Sequence, residues 1–491
     1  REGLVAGFIA ASCAATLYFA RNAQADQLLT MFTTLSFAFF WRGALHAAPS
    51  RVHLAAFFVC FALAMMAKAP LPLVTVGLSL AVYWFFTLPL VEALEQSPLP
   101  KGRARRWSEA MGRRIRGLRN LWLLPGIAVF LVVAGAWPLY VYLKVDHALD
   151  LWRIEYLDRY SGDLSDKVWP FWYYIPCIFG LTFPFLASIP EAVAAIFLPR
   201  YAAHRRGLGF VFTWAFVTTV FLSTAAFKRP HYLVSAIPAF CLLLAPVVDR
   251  LFFGTLFASQ RALRMVCGAL PFLIGGLWAV GVWYGQREYP EIGRIIALSL
   301  GAAAIIWIAA SLAFYAHYRR SAFALLLLSI PVMLAISAPA IGKTVSVNRE
   351  ADELARLMRE HGIERTDDIY WADGRPNAAL EFYTGLPVHR LMDMMEMAAV
   401  REGRQAISSE LQEMMAGRIK ERMSDPKPAF FIMSRKYFDR LVASGEIPHR
   451  IVFEIKDVDP NPKNALVVFS QPQILPKPKA ESSLPATAPD P

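Results

Sequence analysis

Apolar windows of about 20 residues recur along the first two thirds of the chain, and that recurrence leaves few folds open. A helix needs ~20 mostly apolar residues to cross hydrocarbon. Stretches meeting that test begin near Leu4, Leu28, Leu54, Leu71, Leu121, Phe171, Leu208, Leu233, Met265, Ile295 and Phe323. Irregular backbone cannot face lipid, because its unpaired N–H and C=O groups have no water to bond. The expectation is a polytopic α-helical membrane protein of about eleven spans. A composition of 56% hydrophobic and 18% charged residues, with a mean hydropathy of +0.40, agrees. Cys13, Cys60, Cys177, Cys241 and Cys267 all lie in or beside apolar stretches without CxxC spacing, so neither disulfides nor a thiolate metal site is expected. The opening "REGLVAGF" starts at Arg1 and has no signal-peptide pattern, which reads as a chain clipped at its start.

The loop Lys101–Arg119, "KGRARRWSEAMGRRIRGLR", is densely basic, and Lys/Arg bias assigns it to the cytoplasm. Counting outward, "RYAAHRR" (Arg200 to Arg206), Arg261 with Arg264, and "HYRR" (His317 to Arg320) fall on the same side. Topology thus accounts for the formal charge of +12, and nucleic acid is not an expected partner. The extracytoplasmic side receives "ARNAQAD" (Ala20 to Asp26), "AMMAKAPLP" (Ala64 to Pro72), the loop Lys144 to Trp169, and "FKRPHYL" (Phe227 to Leu233). Asp26, Lys68, Glu155, Arg159, Lys228, Arg229 and His231 therefore converge on one face. Any one of these cations taken alone reads first as a side chain snorkelling to the interface. Acids and bases gathered where positive charge should be sparse read as a site.

No pool of ATP or nucleotide sugars serves that face, so chemistry there needs a donor arriving through the membrane, and a lipid-linked phosphate fits. Lys228 offers a phosphate a point charge and Arg229 a planar fork, on an elbow where Pro230 fixes φ. His231 adds a titratable nitrogen and Tyr232 a hydroxyl. An interfacial anchor is the equal reading of this motif alone. In "DLWRIEYLDRYSG" (Asp150 to Gly162), Trp152, Glu155 and Arg159 share a helical face, either an amphipathic segment on the membrane or a solvated ion pair. Asp26 precedes the leucines of a span, as a helix N-terminal acid or a functional group.

"ARNAQADQLLTMF", "FALAMMAKAPLPL", "AWPLYVYLKVDHALDLWRIEYLDRY", "PFWYYIPCIFGLTFPF" and "FKRPHYLVSAIPAFCLLLA" follow one another in the order of a known set of motifs. Together they resemble the GT-C membrane glycosyltransferases of the aminoarabinose transferase and protein O-mannosyltransferase superfamily, over most of residues 1–342. The resemblance implies transfer of a sugar from a polyprenyl-phosphate carrier to an envelope acceptor, which is lipid A, another glycan or a protein, with inversion. It implies an acid acting as base on the acceptor hydroxyl and cations steadying the leaving lipid phosphate. Lys68, Lys228 and Tyr232 match the lysines and tyrosine of "TKGP" and "KLPHY". Asp26 matches the second acid; the principal acid belongs to a loop upstream of Arg1, in a branch with thirteen spans. Arg229 and Arg159 join the phosphate candidates, with Glu155 and His231 as secondary ones. This chain departs from the pattern at "AKAP" and "KRPHY". Some relatives bind a divalent metal; no His/Glu cluster with ligand spacing occurs here, and no cofactor is assigned.

Residues 343–470 read as an extracytoplasmic (periplasmic) α/β domain of an inner-membrane protein, similar to that of the aminoarabinose branch through "FYTGLPV" (Phe382 to Val388). "READELARLMREHG" has helical periodicity ending at a Gly cap. "DDIYWA", "PAFFIMS", "HRIVFEI" and "NALVVFS" are strand-like, and residues 392–423 carry one or two helices. Residues 471–491 are Pro-rich and expected to be disordered. Two competing readings are a transporter or flippase of a lipid-linked substrate, and an envelope scaffold. The first should show inverted repeats and broken helices near the midplane, and neither is clear in the sequence.

Overall fold

The computed structural model describes residues 1–19, 25–46, 48–95, 112, 114–145, 148–161, 169–254, 278–283, 287, 293–344, 347–363, 368–372, 385, 387–391, 407–425, 427–443, 449–455 and 466–472. The chain divides into two compact units, Arg1–Ser337 and Ala338–Pro491. The first is a multi-pass helical bundle.

Eight helices among the described residues are long and apolar enough to span a membrane. They are α3 (Ala25–Leu45), α4 (Arg51–Lys68), α5 (Leu73–Glu95), α6 (Leu123–Lys144), α10 (Pro199–Thr224), α11 (Pro230–Phe253), α12 (Ala297–Tyr315) and α13 (Arg319–Ala338, continuing to Thr344), while the short α7 (Ala148–Trp152) follows α6. Two expected windows correspond to broken helices instead. The window from Leu4 is split into α1 (Glu2–Ser12) and α2 (Ala14–Phe19). The window from Phe171 gives α8 (Tyr174–Leu181) and, past a turn and Pro184, the short α9 (Ile189–Ala194). The window from Met265 lies mostly outside the described residues. Composition registers a crossing of apolar residues; it does not register where the helix stops within it.

The two breaks meet: the backbone N–H of Ala14 donates to the carbonyl of Phe183 at 3.2 Å. Non-helical backbone inside a bundle is tolerated where protein satisfies it in this way. The core around the breaks is aromatic and continuous. Phe37 stacks on Trp214 at 4.1 Å, and Phe210 meets Phe37, Tyr83 and Trp41 at 5.5, 4.9 and 5.1 Å. Helix α11 is the most enclosed span, while α6 leaves Leu124, Val132 and Leu143 exposed, as a lipid-facing helix should.

Where α6 does pack, it relies on a missing side chain. A Cβ at Gly126 would stand 2.0 Å from the buried Phe58 ring of α4. Gly126→Ala is expected to lose about 1–3 kcal/mol of stability through overpacking, seen as a lower thermal midpoint in detergent; Gly135→Ala, with open space around it, is the unchanged control.

The second unit carries a five-stranded sheet. Strands β1 (Asp368–Trp371), β2 (Val388–Arg390), β3 (Ala429–Ser434), β4 (Arg450–Ile455) and β5 (Leu466–Ser470) lie in the order β2-β1-β3-β5-β4. The pairs β1–β2 and β1–β3 are parallel; β3–β5 and β5–β4 are antiparallel. Its central strands β3 and β5 are buried on both faces, which is why they read as unbroken apolar runs. Helix α14 (Val347–Glu360) is followed by Gly362 at φ 67°, the left-handed cap position. Of residues 392–423, Ile407–Met423 form helix α15 and residues 392–406 lie outside the described residues, as do 473–491 of the tail.

Candidate active site

Helices α3 and α4 are antiparallel neighbours, so the N-terminus of one stands beside the C-terminus of the other. Asp26 lies in the first turn of α3 and Lys68 is the last residue of α4. Each charge thus sits at the helix end whose dipole favours it. Lys68 Nζ donates to Asp26 Oδ1 at 2.7 Å, and Asp26 is buried at 6% exposure. The same ammonium stands 4.9 Å from the centre of the Tyr232 ring.

Tyr232 belongs to the 3₁₀ turn Pro230–Ala236 that opens α11, at the end of the bundle that holds Asp26 and Lys68. His231 meets Tyr232 edge-on at 4.7 Å and Phe19 at 6.1 Å, within Coulombic range of Asp26, Lys68 and Arg229. One acid, two cations, an imidazole and a phenol are thereby collected at one place.

The adjoining Lys228 behaves differently from its neighbour Arg229. Lys228 is buried, and its ammonium donates to the carbonyls of Trp169 at 2.9 Å and Ala225 at 2.5 Å. Burial holds that ammonium below the ordinary lysine value. Further bonds surround this tie. Trp169 N–H donates to Ala226 O, Ala226 N–H donates to Tyr160 O, and the Tyr160 and Thr224 hydroxyls stand 2.6 Å apart. Arg229 is exposed, its guanidinium 4.8 Å from the centre of the Phe227 ring, while its carbonyl accepts from the Tyr174 hydroxyl at 3.3 Å.

Glu155 lies in the π-helical turn Arg153–Asp158 and Arg159 begins the turn Arg159–Ser161, but both side chains lie outside the described residues. Residues 382–384 and 386 of "FYTGLPV" lie outside them too. Trp169 and Ala225, the partners of Lys228, escaped the sequence reading because they act through backbone carbonyls, which no side-chain pattern marks. Among the described residues no group of three or more His, Cys, Asp or Glu side chains comes together.

The polytopic helical bundle, with a small α/β unit after it in the chain, is a fold known from solved structures. Solved structures of ArnT from Cupriavidus metallidurans carry it: the one bound to undecaprenyl phosphate aligns with a TM-score of 0.68 over 98% of this chain and 80% of that chain, at 18% identity. The apo structure aligns with a TM-score of 0.62 over 95% and 78%, at 16% identity. No protein-family model matches the chain. Among curated proteins, the undecaprenyl phosphate-alpha-4-amino-4-deoxy-L-arabinose arabinosyl transferase 1 of Pseudomonas fluorescens is 28% identical over 165 residues, 32% of this chain and 29% of that protein. The corresponding transferase of Edwardsiella ictaluri is 28% identical over 222 residues, 42% of this chain and 38% of that protein. The matched part of the chain thus spans less than two fifths of the length of these curated relatives.

Proposed function

We propose that the chain is a glycosyltransferase that moves a sugar from a polyprenyl-phosphate carrier to an envelope acceptor at the Asp26 end of the bundle. The observation that carries this reading is the pairing of buried Asp26 with half-buried Lys68 beside Tyr232, near the exposed Arg229, in a fold shared with an ArnT structure bound to undecaprenyl phosphate. By analogy with the curated relatives, the donor is 4-amino-4-deoxy-L-arabinose on undecaprenyl phosphate. The acceptor is lipid A, another envelope glycan or a protein. The protein sits in the inner membrane, with residues 1–342 as the catalytic membrane domain, residues 343–470 as a periplasmic domain and residues 471–491 as a tail.

In the reaction an acceptor hydroxyl oxygen attacks the anomeric carbon while the anomeric C–O bond to phosphate breaks. The bonding pair leaves on the lipid phosphate, and attack from the opposite side inverts the centre. The hydroxyl proton passes to a carboxylate. Asp26 holds Lys68 in place and supplies an acid next to the phosphate cations. Lys68 and Arg229 offer charge to the leaving phosphate, and Tyr232 lies against the Lys68 ammonium. Lys228 reaches a phosphate only by releasing the carbonyls of Trp169 and Ala225. Arg159 and Glu155 lie on the segment preceding that tie, and His231 borders it. A transporter reading has less support, because the relatives are named as transferases.

The test is to incubate the purified full-length protein with undecaprenyl-phosphate aminoarabinose and lipid A and follow donor loss by mass spectrometry. Donor consumption with a shifted acceptor mass is expected. No turnover with any polyprenyl-phosphate sugar, together with unaltered donor binding in Lys68→Met and Arg229→Gln, overturns the proposal.

A further inference from the structure

At the end of the bundle opposite Asp26, helices α3, α10 and α11 and the start of α1 line a half-open cavity of about 560 Å³. That volume suits one small ligand or one lipid chain. Its walls are apolar and aromatic, including Phe37, Phe210, Trp214 and Leu242, and its rim carries Glu2, Arg42, His204 and Arg206. This is the end that the basic loops assign to the cytoplasm.

The rim says what enters. At the rim, Arg42 is exposed and makes no ion pair among the described residues. His204 pairs with Glu2 at 3.3 Å and Arg206 with Glu95 at 3.2 Å, both largely solvent-exposed contacts that an incoming anion can displace. Arg42 stands five positions beyond Phe37, the ring stacked on Trp214. That is about 7.5 Å of helix rise. A phosphate at Arg42 therefore leaves the acyl chain to run inward against the aromatic wall.

We propose that this cavity binds one anionic phospholipid, its phosphate held by Arg42 and Arg206 and one acyl chain lying between α3, α10 and α11. Basic pockets between transmembrane helices on the cytoplasmic side bind anionic headgroups by the same chemistry. The site is separate from the one holding Asp26 and Lys68, and its occupancy does not depend on the glycosyltransferase reading.

The test uses the full chain in nanodiscs containing phosphatidylglycerol or phosphatidylcholine with a photoreactive diazirine in one acyl chain. Labelled peptides are mapped by mass spectrometry. Phosphatidylglycerol is expected to label the peptides holding Phe37 and Trp214 in preference to phosphatidylcholine. Arg42→Gln is expected to reduce that preference about fivefold, the weight of one arginine near an anionic surface. Ala38→Phe, which fills the cavity from an exposed position, is expected to remove the labelling there while lipid-facing α6 labels as before. Equal labelling by both lipids, or labelling at Trp214 that survives Ala38→Phe, overturns the proposal. Both variants alter exposed side chains, so thermal midpoints near wild type confirm that the fold is intact.

Discussion

Lys68→Met is expected to reduce donor turnover by about 10²–10³, the usual loss when one preorganised charge at a reacting oxyanion is removed. The same change strikes the fold. Asp26 has 8% side-chain exposure and would lose its 2.7 Å partner. Breaking a buried pair from one side costs about 3–5 kcal/mol, and with Lys68 itself 31% exposed the lower end applies. Two measurements separate the effects: turnover per folded molecule, and the thermal midpoint. Adding Asp26→Asn to Lys68→Met should restore most of the midpoint, since no buried charge is then stranded, and none of the turnover. A double variant that regains activity would show that the pair is scaffolding.

Lys228→Met is expected to lower stability more than it alters chemistry, and Arg229→Gln to do the reverse. Removing the Lys228 ammonium leaves the carbonyls of Trp169 and Ala225 without their donor. An unsatisfied buried acceptor costs about 1–3 kcal/mol, and thermal unfolding in detergent should register that loss. Arg229 is exposed over Phe227. Its change to glutamine should leave the midpoint within about 0.5 kcal/mol of wild type while donor KM rises. Equal midpoints for the two variants would mean that Lys228 is not holding the elbow together.

Much of this architecture could be read directly from the amino acids. Every long span coincides with an apolar window, and four strand-like runs became β1, β3, β4 and β5. Strand β2 went unseen because three residues, Val388–Arg390, carry too little alternation to stand out. The membership of the site was legible and its pairings were not. Asp26 and Lys68 stand 42 residues apart, and only the antiparallel packing of α3 on α4 makes them partners. Lys228 and Arg229 are adjacent basic residues with nothing in their types to distinguish them; the elbow turns one into the protein and the other toward solvent. The rim arginine and floor tryptophan of the opposite cavity are likewise distant in sequence, so no local pattern announces them.

The hydrogen bond from Ala14 to Phe183 also bears on how the chain enters the membrane. During synthesis the crossing that holds Ala14 is made long before residue 183 exists. Until then the break at Cys13 presents an amide to hydrocarbon with its eventual acceptor still unmade. That crossing therefore depends, for the pairing of one backbone amide, on a part of the protein translated some 170 residues later.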